Sequence, residues 1–173
     1  MNVPVVLVPL DGLDPRLLHP VAANVLEVFG LVAQVAEPAE SPASAFDPLR
    51  GQYRAAEVLA FLKPLYPEAR RVVGVTAADL FEPGLNFVFG LAERPGRAAV
   101  VSAHRLVTPE GRLFLLRLMK ETNHELGHTF GLGHCPDPTC VMRFSNSVAE
   151  VDEKGRFFCA RCRVELERAL ERL

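Results

Sequence analysis

The chain lacks what several classes of protein require. No apolar run approaches the ~18 residues that a membrane-spanning helix needs, and no block of Lys and Arg suggests a membrane surface. Lysine is scarce, three residues against sixteen arginines, and the formal net charge is only −2. That balance leaves no footprint for nucleic acid. No internal repeat or low-complexity tract appears. The opening segment Val3–Leu10 is apolar but short, lacks a basic n-region, and runs directly into Asp11; it reads as a strand rather than a signal peptide. Cysteine is absent from the first 134 residues. Nothing points to an oxidising compartment, so the expected location is the cytoplasm. The arginine excess and the fourteen prolines fit heat tolerance and a GC-rich genome equally, and decide nothing.

What is present is the composition of an ordinary globule. With 173 residues, 49% apolar and 23% charged, the chain is long enough to bury a core as one domain without staples.

The informative stretch is His124-Glu125-Leu126-Gly127-His128-Thr129-Phe130-Gly131-Leu132-Gly133-His134, which has the form H-E-x-x-H-x-x-G-x-x-H. At average residue frequencies its five fixed residues recur by chance on the order of once in a hundred thousand chains of this size. On a helix, His124 and His128 project from one face and can hold one ion. Glu125 lies about 100° round the helix, near enough to reach a water on that ion. Gly131 is placed to take the positive φ that ends the helix and returns His134 as a third ligand. Three protein ligands leave a position open, the arrangement of a catalytic zinc. His19 and His104 read as ordinary residues.

The four cysteines follow at once: Cys135, Cys140, Cys159 and Cys162. Two close pairs separated by a loop suit four thiolates on one tetrahedral zinc. Two disulfides would need an oxidising compartment, and a redox pair at Cys159 and Cys162 would need a preceding strand-to-helix context. Cys135 adjoins His134, so the two metal sites would share neighbouring ligands. Met142, eight residues after His134, is placed for a Met-turn beneath the histidines.

The coarse reading of elements is a strand at 3–9, an amphipathic helix near 14–30 and a strand near 31–36. A mobile loop at 37–47 and a helix near 52–64 follow. Strands at 71–75, 86–92 and 98–104 come next, the last two joined as a hairpin through Arg94-Pro95-Gly96. A long helix near 109–130 carries Leu113, Leu116 and Met119 into the motif. A final helix near 160–172 packs through Leu166, Leu170 and Leu173. Strands alternating with helices predict an α/β (α+β) domain, a mixed twisted sheet with helices packed on it. Residues 1–131 would form the sheet and the helices up to the active-site helix, and 132–173 the Met-turn and cysteine region.

His124, Glu125, His128, Gly131, His134, Cys135, Cys140, Met142, Cys159 and Cys162 together resemble the archaemetzincins. Their pattern is HExxHxxGxxHC, then x4, CxM, about seventeen residues and CxxC. Looser likeness extends to Gly74-Val75-Thr76, Asp79-Leu80-Phe81 and Asn86–Gly90. The resemblance implies a metzincin-type domain with one catalytic zinc and one zinc held by four cysteines, and a metallopeptidase activity. Sixteen residues, not seventeen, separate Met142 from Cys159. Phe144 stands where some metzincins carry a tyrosine that steadies the reaction intermediate, so oxyanion help would come from zinc or backbone amides.

The expected function is peptide-bond hydrolysis by a zinc-bound water, with Glu125 as general base. Two zinc ions per monomeric chain and a peptide or protein substrate are expected, without nucleic acid or membrane. Segment 86–92 could offer a strand edge to the substrate. The alternatives are a zinc-stabilised peptide-binding protein and an amidohydrolase acting on a small non-peptide amide.

Overall fold

Residues 4–173 are described by a computed structural model. Its strands are β1 (Val5–Leu10), β2 (Ala33–Val35), β3 (Phe46–Asp47), β4 (Gln52–Arg54), β5 (Arg71–Thr76), β6 (Leu80–Phe81), β7 (Gly90–Ala92) and β8 (Ala98–Ser102). Its helices are α1 (Leu18–Phe29), α2 (Ala55–Leu62), α3 (Gly111–Thr129), α4 (Val148–Glu153) and α5 (Ala160–Leu170). The main sheet has the order β2-β1-β5-β8-β7. All its pairs are parallel except β7 with β8. A second, small sheet has the order β3-β4-β6.

All six residues of β1 are buried, as expected for a strand covered on both faces. Alternate residues serve opposite layers. Val5 and Leu7 join Val73, Val75, Ala99 and Val101 in a core shared with α1 and α3. Val6, Val8 and Leu10 join Val72 and Val100 in a second core under α2. Pro9 is tolerated because β2 ends at Val35, opposite Leu7. The Pro9 carbonyl on that side accepts from the Ala39 amide at 2.9 Å, so the missing N–H interrupts no pairing with β5. The first core continues into the C-terminal region through Cys135, Cys140, Val141, Met142, Val151, Cys162 and Leu166.

Several expected elements are redrawn. Val3, the first residue of the expected strand 3–9, lies outside the described residues. Residues 52–54 of the expected helix 52–64 are strand β4, drawn into the small sheet by pairing with β3 and β6. The stretch 37–47 is pinned: Asp11 accepts from both the Ser41 amide (2.8 Å) and hydroxyl (2.7 Å). The expected strand 86–92 keeps only Gly90–Ala92, because the Val88 amide turns to the Leu80 carbonyl of the small sheet at 2.9 Å. On α3 the fully buried leucines are Leu118 and Leu126, while Leu113, Leu116 and Met119 are half-buried. The stripe on α5 is anchored by Leu166 and has opened to solvent by Leu173. Helix α4, six residues capped by the Ser147 side chain, was not foreseen; it is too short to show a period.

Candidate metal centre and cleft

Helix α3 runs through the interior, buried on nearly every side from Arg117 to Gly127. It stops at a glycine. Gly131 has φ +96°, its amide donates to the His128 carbonyl at 2.9 Å, and the Leu132 amide donates to the Gly127 carbonyl at 3.3 Å. This is a Schellman ending, and it turns the chain back so that His134 meets His124 and His128. One ring nitrogen from each of the three lies within 4.8 Å of the others.

The ring protons are committed. His124 Nδ1 is 2.8 Å from the Val141 carbonyl and His128 Nδ1 is 2.7 Å from the Leu132 carbonyl. A carbonyl can only accept, so both protons sit on Nδ1 and both Nε2 atoms present lone pairs. Those two Nε2 atoms are 3.2 Å apart. Tetrahedral ligands at 2.0–2.1 Å from a zinc would be about 3.3–3.4 Å apart. Two acceptors facing each other with no proton between them fit a shared cation.

Burial depresses the basicity of all three imidazoles. His124 is held well below the usual histidine range by burial first, then by the Lys154 ammonium and by His128. His128 is lowered by burial, with the charges of His134 and Arg94 adding to it. His134 is lowered by burial and by the charge of Arg94. The neutral form so favoured is the form that binds a metal. Glu125 goes the other way: burial, followed by the neighbouring Glu121, pushes its carboxyl well above the usual range. Met142 packs beneath the helix, where a Cβ on Gly127 would lie 2.7 Å from its Sδ.

The cysteines form a second cluster, all four free, with their sulfurs within 4.8 Å of one another. Cys135 Sγ and Cys159 Sγ are 3.8 Å apart, which is about the edge of a tetrahedron with 2.3 Å zinc–sulfur bonds. Donors surround the sulfurs. The Met142 and Cys159 amides point to Cys140 Sγ at 3.5 and 3.4 Å, and Arg161 Nη2 points to Cys135 Sγ at 3.4 Å. A backbone donor from Cys162 lowers the Cys159 thiol, whereas burial raises those of Cys140 and Cys162.

A cleft of about 500 Å³ opens over the histidines. One wall is the segment 85–92 with Arg94, and the other is Phe144, Ser145 and Asn146. Two carboxylates line it, Glu121 and Glu125. Glu121 is buried 3.0 Å from the equally buried Lys154 Nζ, which also donates to the Arg143 carbonyl at 3.1 Å. Gly90 passes so close to Glu125 that a Cβ there would lie 2.8 Å from its Oε1. Phe144 rests against His134, ring centres 5.1 Å apart, and the buried Ser145 hydroxyl beside it has no partner among the described residues.

Every residue singled out from the motifs falls into one of these two clusters or against them, and His19 and His104 fall in neither. From sequence, Gly90 reads only as part of the strand edge 86–92 and Arg94 only as part of a turn, while Glu121, Lys154, Ser145 and Asn146 were not singled out. Of these four only Glu121 carried a signal, since it precedes His124 by three residues and shares its helix face.

A histidine trio at the floor of a cleft, with a carboxylate beside it and a strand edge above it, defines a metallopeptidase. Residues 30–168 match the description Peptidase family M54, and the chain belongs to that family. It is 50% identical over 169 residues to the archaemetzincin of Methanopyrus kandleri, with 96% of this chain and 97% of that one covered. The crystal structure of archaemetzincin from that organism superimposes with a TM-score of 0.92 at 46% identity, covering 98% of this chain and 96% of the other. A zinc-dependent peptidase from Methanocorpusculum labreanum superimposes with a TM-score of 0.83 at 32% identity, covering 94% and 99%.

Proposed function

We propose that the chain, acting as one domain over residues 1–173, hydrolyses peptide bonds with one zinc held by His124, His128 and His134. A second zinc, held by Cys135, Cys140, Cys159 and Cys162, is structural. The observation that carries the reading is the pair of Nε2 atoms 3.2 Å apart, each on a ring whose Nδ1 faces a backbone carbonyl within hydrogen-bond distance. Bound there, zinc would supply a Lewis-acid charge that acidifies water and polarises a carbonyl.

The protein's own groups do the rest. Glu125 takes the proton of the attacking water and returns it to the departing amine. The substrate lies extended along β7. The hydrogen-bonded pairs of the β7–β8 ladder fall at Phe89–Ser102 and Glu93–Ala98, so in an alternating antiparallel ladder the amides of Gly90 and Ala92 face outward. Those two residues offer main-chain partners to a peptide. Glu121 is matched by Lys154, which leaves the cleft without a spare carboxylate for a free amine and favours an endopeptidase. Among the described residues no helix is long and apolar enough to cross a membrane. Four unlinked thiols suit a reducing compartment such as the cytoplasm.

The test is cleavage of a peptide library by the wild type and by Glu125→Gln, with zinc measured on the same preparations. General-base assistance is worth about 10²–10⁴-fold in rate, so cleavage should fall at least a hundredfold while zinc content holds. Undiminished cleavage would refute the role of Glu125. Binding without turnover in the wild type would establish the peptide-binding alternative instead.

A further inference from the structure

Arg94 is a cation in the cleft wall with nothing among the described residues to neutralise it. Its single hydrogen bond runs from Nε to the Gly131 carbonyl at 3.4 Å, and among the described residues it forms no ion pair. The adjacent acid is not available to it. Glu93 is 2.7 Å from Lys63 and also accepts from the Arg97 and Ala98 amides. The guanidinium has a seat, because Gly133 has no side chain: a Cβ there would lie 2.6 Å from Arg94 Nη2. Held over that glycine, next to His134, it keeps four of its five N–H donors free in a fork suited to a carboxylate. A cation beside a zinc dication is electrostatically unfavourable unless an anion lies with it.

We propose that Arg94 is a specificity-determining residue that selects peptides carrying an acidic side chain on the amino side of the scissile bond. This rests on the peptidase reading above. The direction follows from the strand. β7 runs from Gly90, beside Glu125, to Ala92, with Arg94 two residues further on. A peptide pairing antiparallel to β7 runs the opposite way, so it passes Arg94 before its scissile bond reaches Glu125.

The test is direct binding, which does not depend on turnover. Zinc-loaded Glu125→Gln protein is titrated with fluorescent, N-acetylated and C-amidated peptides in which one Glu is walked along the sequence, each against its Gln isostere. A third set carries Gln and a free C-terminal carboxylate. Charge-assisted pairing at a partly exposed site predicts about five- to tenfold tighter binding of the best Glu peptide, weakening as salt is raised. Adding Arg94→Gln, at an exposed position where folding is checked by circular dichroism, should erase the difference, and Arg94→Glu should reverse it toward Lys peptides. Equal affinity for Glu and Gln peptides, no binding of any peptide, or a preference that survives Arg94→Gln overturns the proposal. A gain confined to the free-carboxylate set also overturns it, and points to anchoring of the peptide C-terminus. Failure of the peptidase reading would show separately, as no cleavage by the protein with Glu125 intact.

Discussion

His124 Nδ1 lies 2.8 Å from the carbonyl oxygen of Val141, the residue that follows Cys140. A ligand of the histidine site is thus oriented by the backbone of the cysteine site. The Cys135 amide donates to the Met142 carbonyl at 3.0 Å, tying the residue after His134 to the same turn. Closing four thiolates on one ion would fix both anchor points. Groups that orient metal ligands in this way typically matter 10–100-fold in metal affinity.

The two sites should therefore respond differently to single changes. Cys162→Ala opens a closed, folding-coupled site and is expected to lower the melting temperature and weaken zinc at the histidine site as well. His128→Ala should abolish cleavage with a smaller loss of stability. Melting curves with zinc analysis on both variants decide the matter; equal destabilisation would contradict the division of roles.

Stoichiometry separates the sites a second way. Two zinc ions per chain are expected, with ligand distances of about 2.0–2.1 Å to nitrogen and 2.3 Å to sulfur. The histidine-held ion has an open position and should leave first under mild chelation, with the far-ultraviolet circular dichroism unchanged. X-ray absorption before and after chelation should show nitrogen scattering lost and sulfur scattering kept. Simultaneous loss of both ions together with the fold would oppose this order.

Most of the site was legible before the fold because its ligands are local. His124 to His134 span eleven residues, and helix period, a glycine stop and the cysteine spacing are all short-range signals. Of the cleft only the strand edge within 86–92 was legible; the rest was not, because its walls are assembled from distant segments. Gly90 and Glu125 meet only because β7 pairs with β8 and α3 packs against that edge. Lys154 reaches Glu121 only because α4 docks on α3. Strand 86–92 was overdrawn for a related reason. Its apolar residues serve two sheets, with Val88 bonded to Leu80 and Phe89 to Ser102, and a local pattern cannot tell which partner each will find. The three-residue strands β2 and β7 are likewise fixed by their neighbours.

The dock of α4 on α3 gives a pH dependence. Arg117 donates to both Asp152 oxygens, Nε to Oδ1 at 2.8 Å and Nη2 to Oδ2 at 2.7 Å. These bonds hold the Asp152 carboxyl below the usual carboxylate range. A depressed folded-state pKa adds stability above the unfolded value, and that stability is lost as pH falls through the folded one. The Asp152 side chain is one-third exposed, so the pair is worth about 1 kcal/mol. Wild type should exceed Asp152→Asn in unfolding free energy by that amount from neutral pH down to the carboxylate range, and the two should converge in stronger acid. Urea titrations across pH on both proteins read this difference, and a gap that persists unchanged in acid would exclude the pair as its source.

Gly90 offers the sharpest test of how the cleft wall serves the chemistry. A Cβ at this position would lie 2.6 Å from the Val100 carbonyl oxygen and 2.8 Å from both Cγ and Oε1 of Glu125. Swinging the Glu125 side chain aside relieves its own contacts but not the one with the Val100 carbonyl, so β7 must also shift against β8. Overpacking of this kind costs about 1–3 kcal/mol of stability. Displacing a catalytic group by about 1 Å costs about a hundredfold in rate. The histidines are untouched, so Gly90→Ala should retain its zinc, melt several degrees lower, and show a kcat about a hundredfold below wild type. Gly111→Ala is the matched control: nothing lies within 4 Å of a Cβ there. It sits at the first position of α3, outside the cleft lining. There the same substitution should be neutral or slightly stabilising, with cleavage unchanged. If Gly90→Ala cleaves peptides at the wild-type rate, Glu125 does not depend on the space that this glycine leaves.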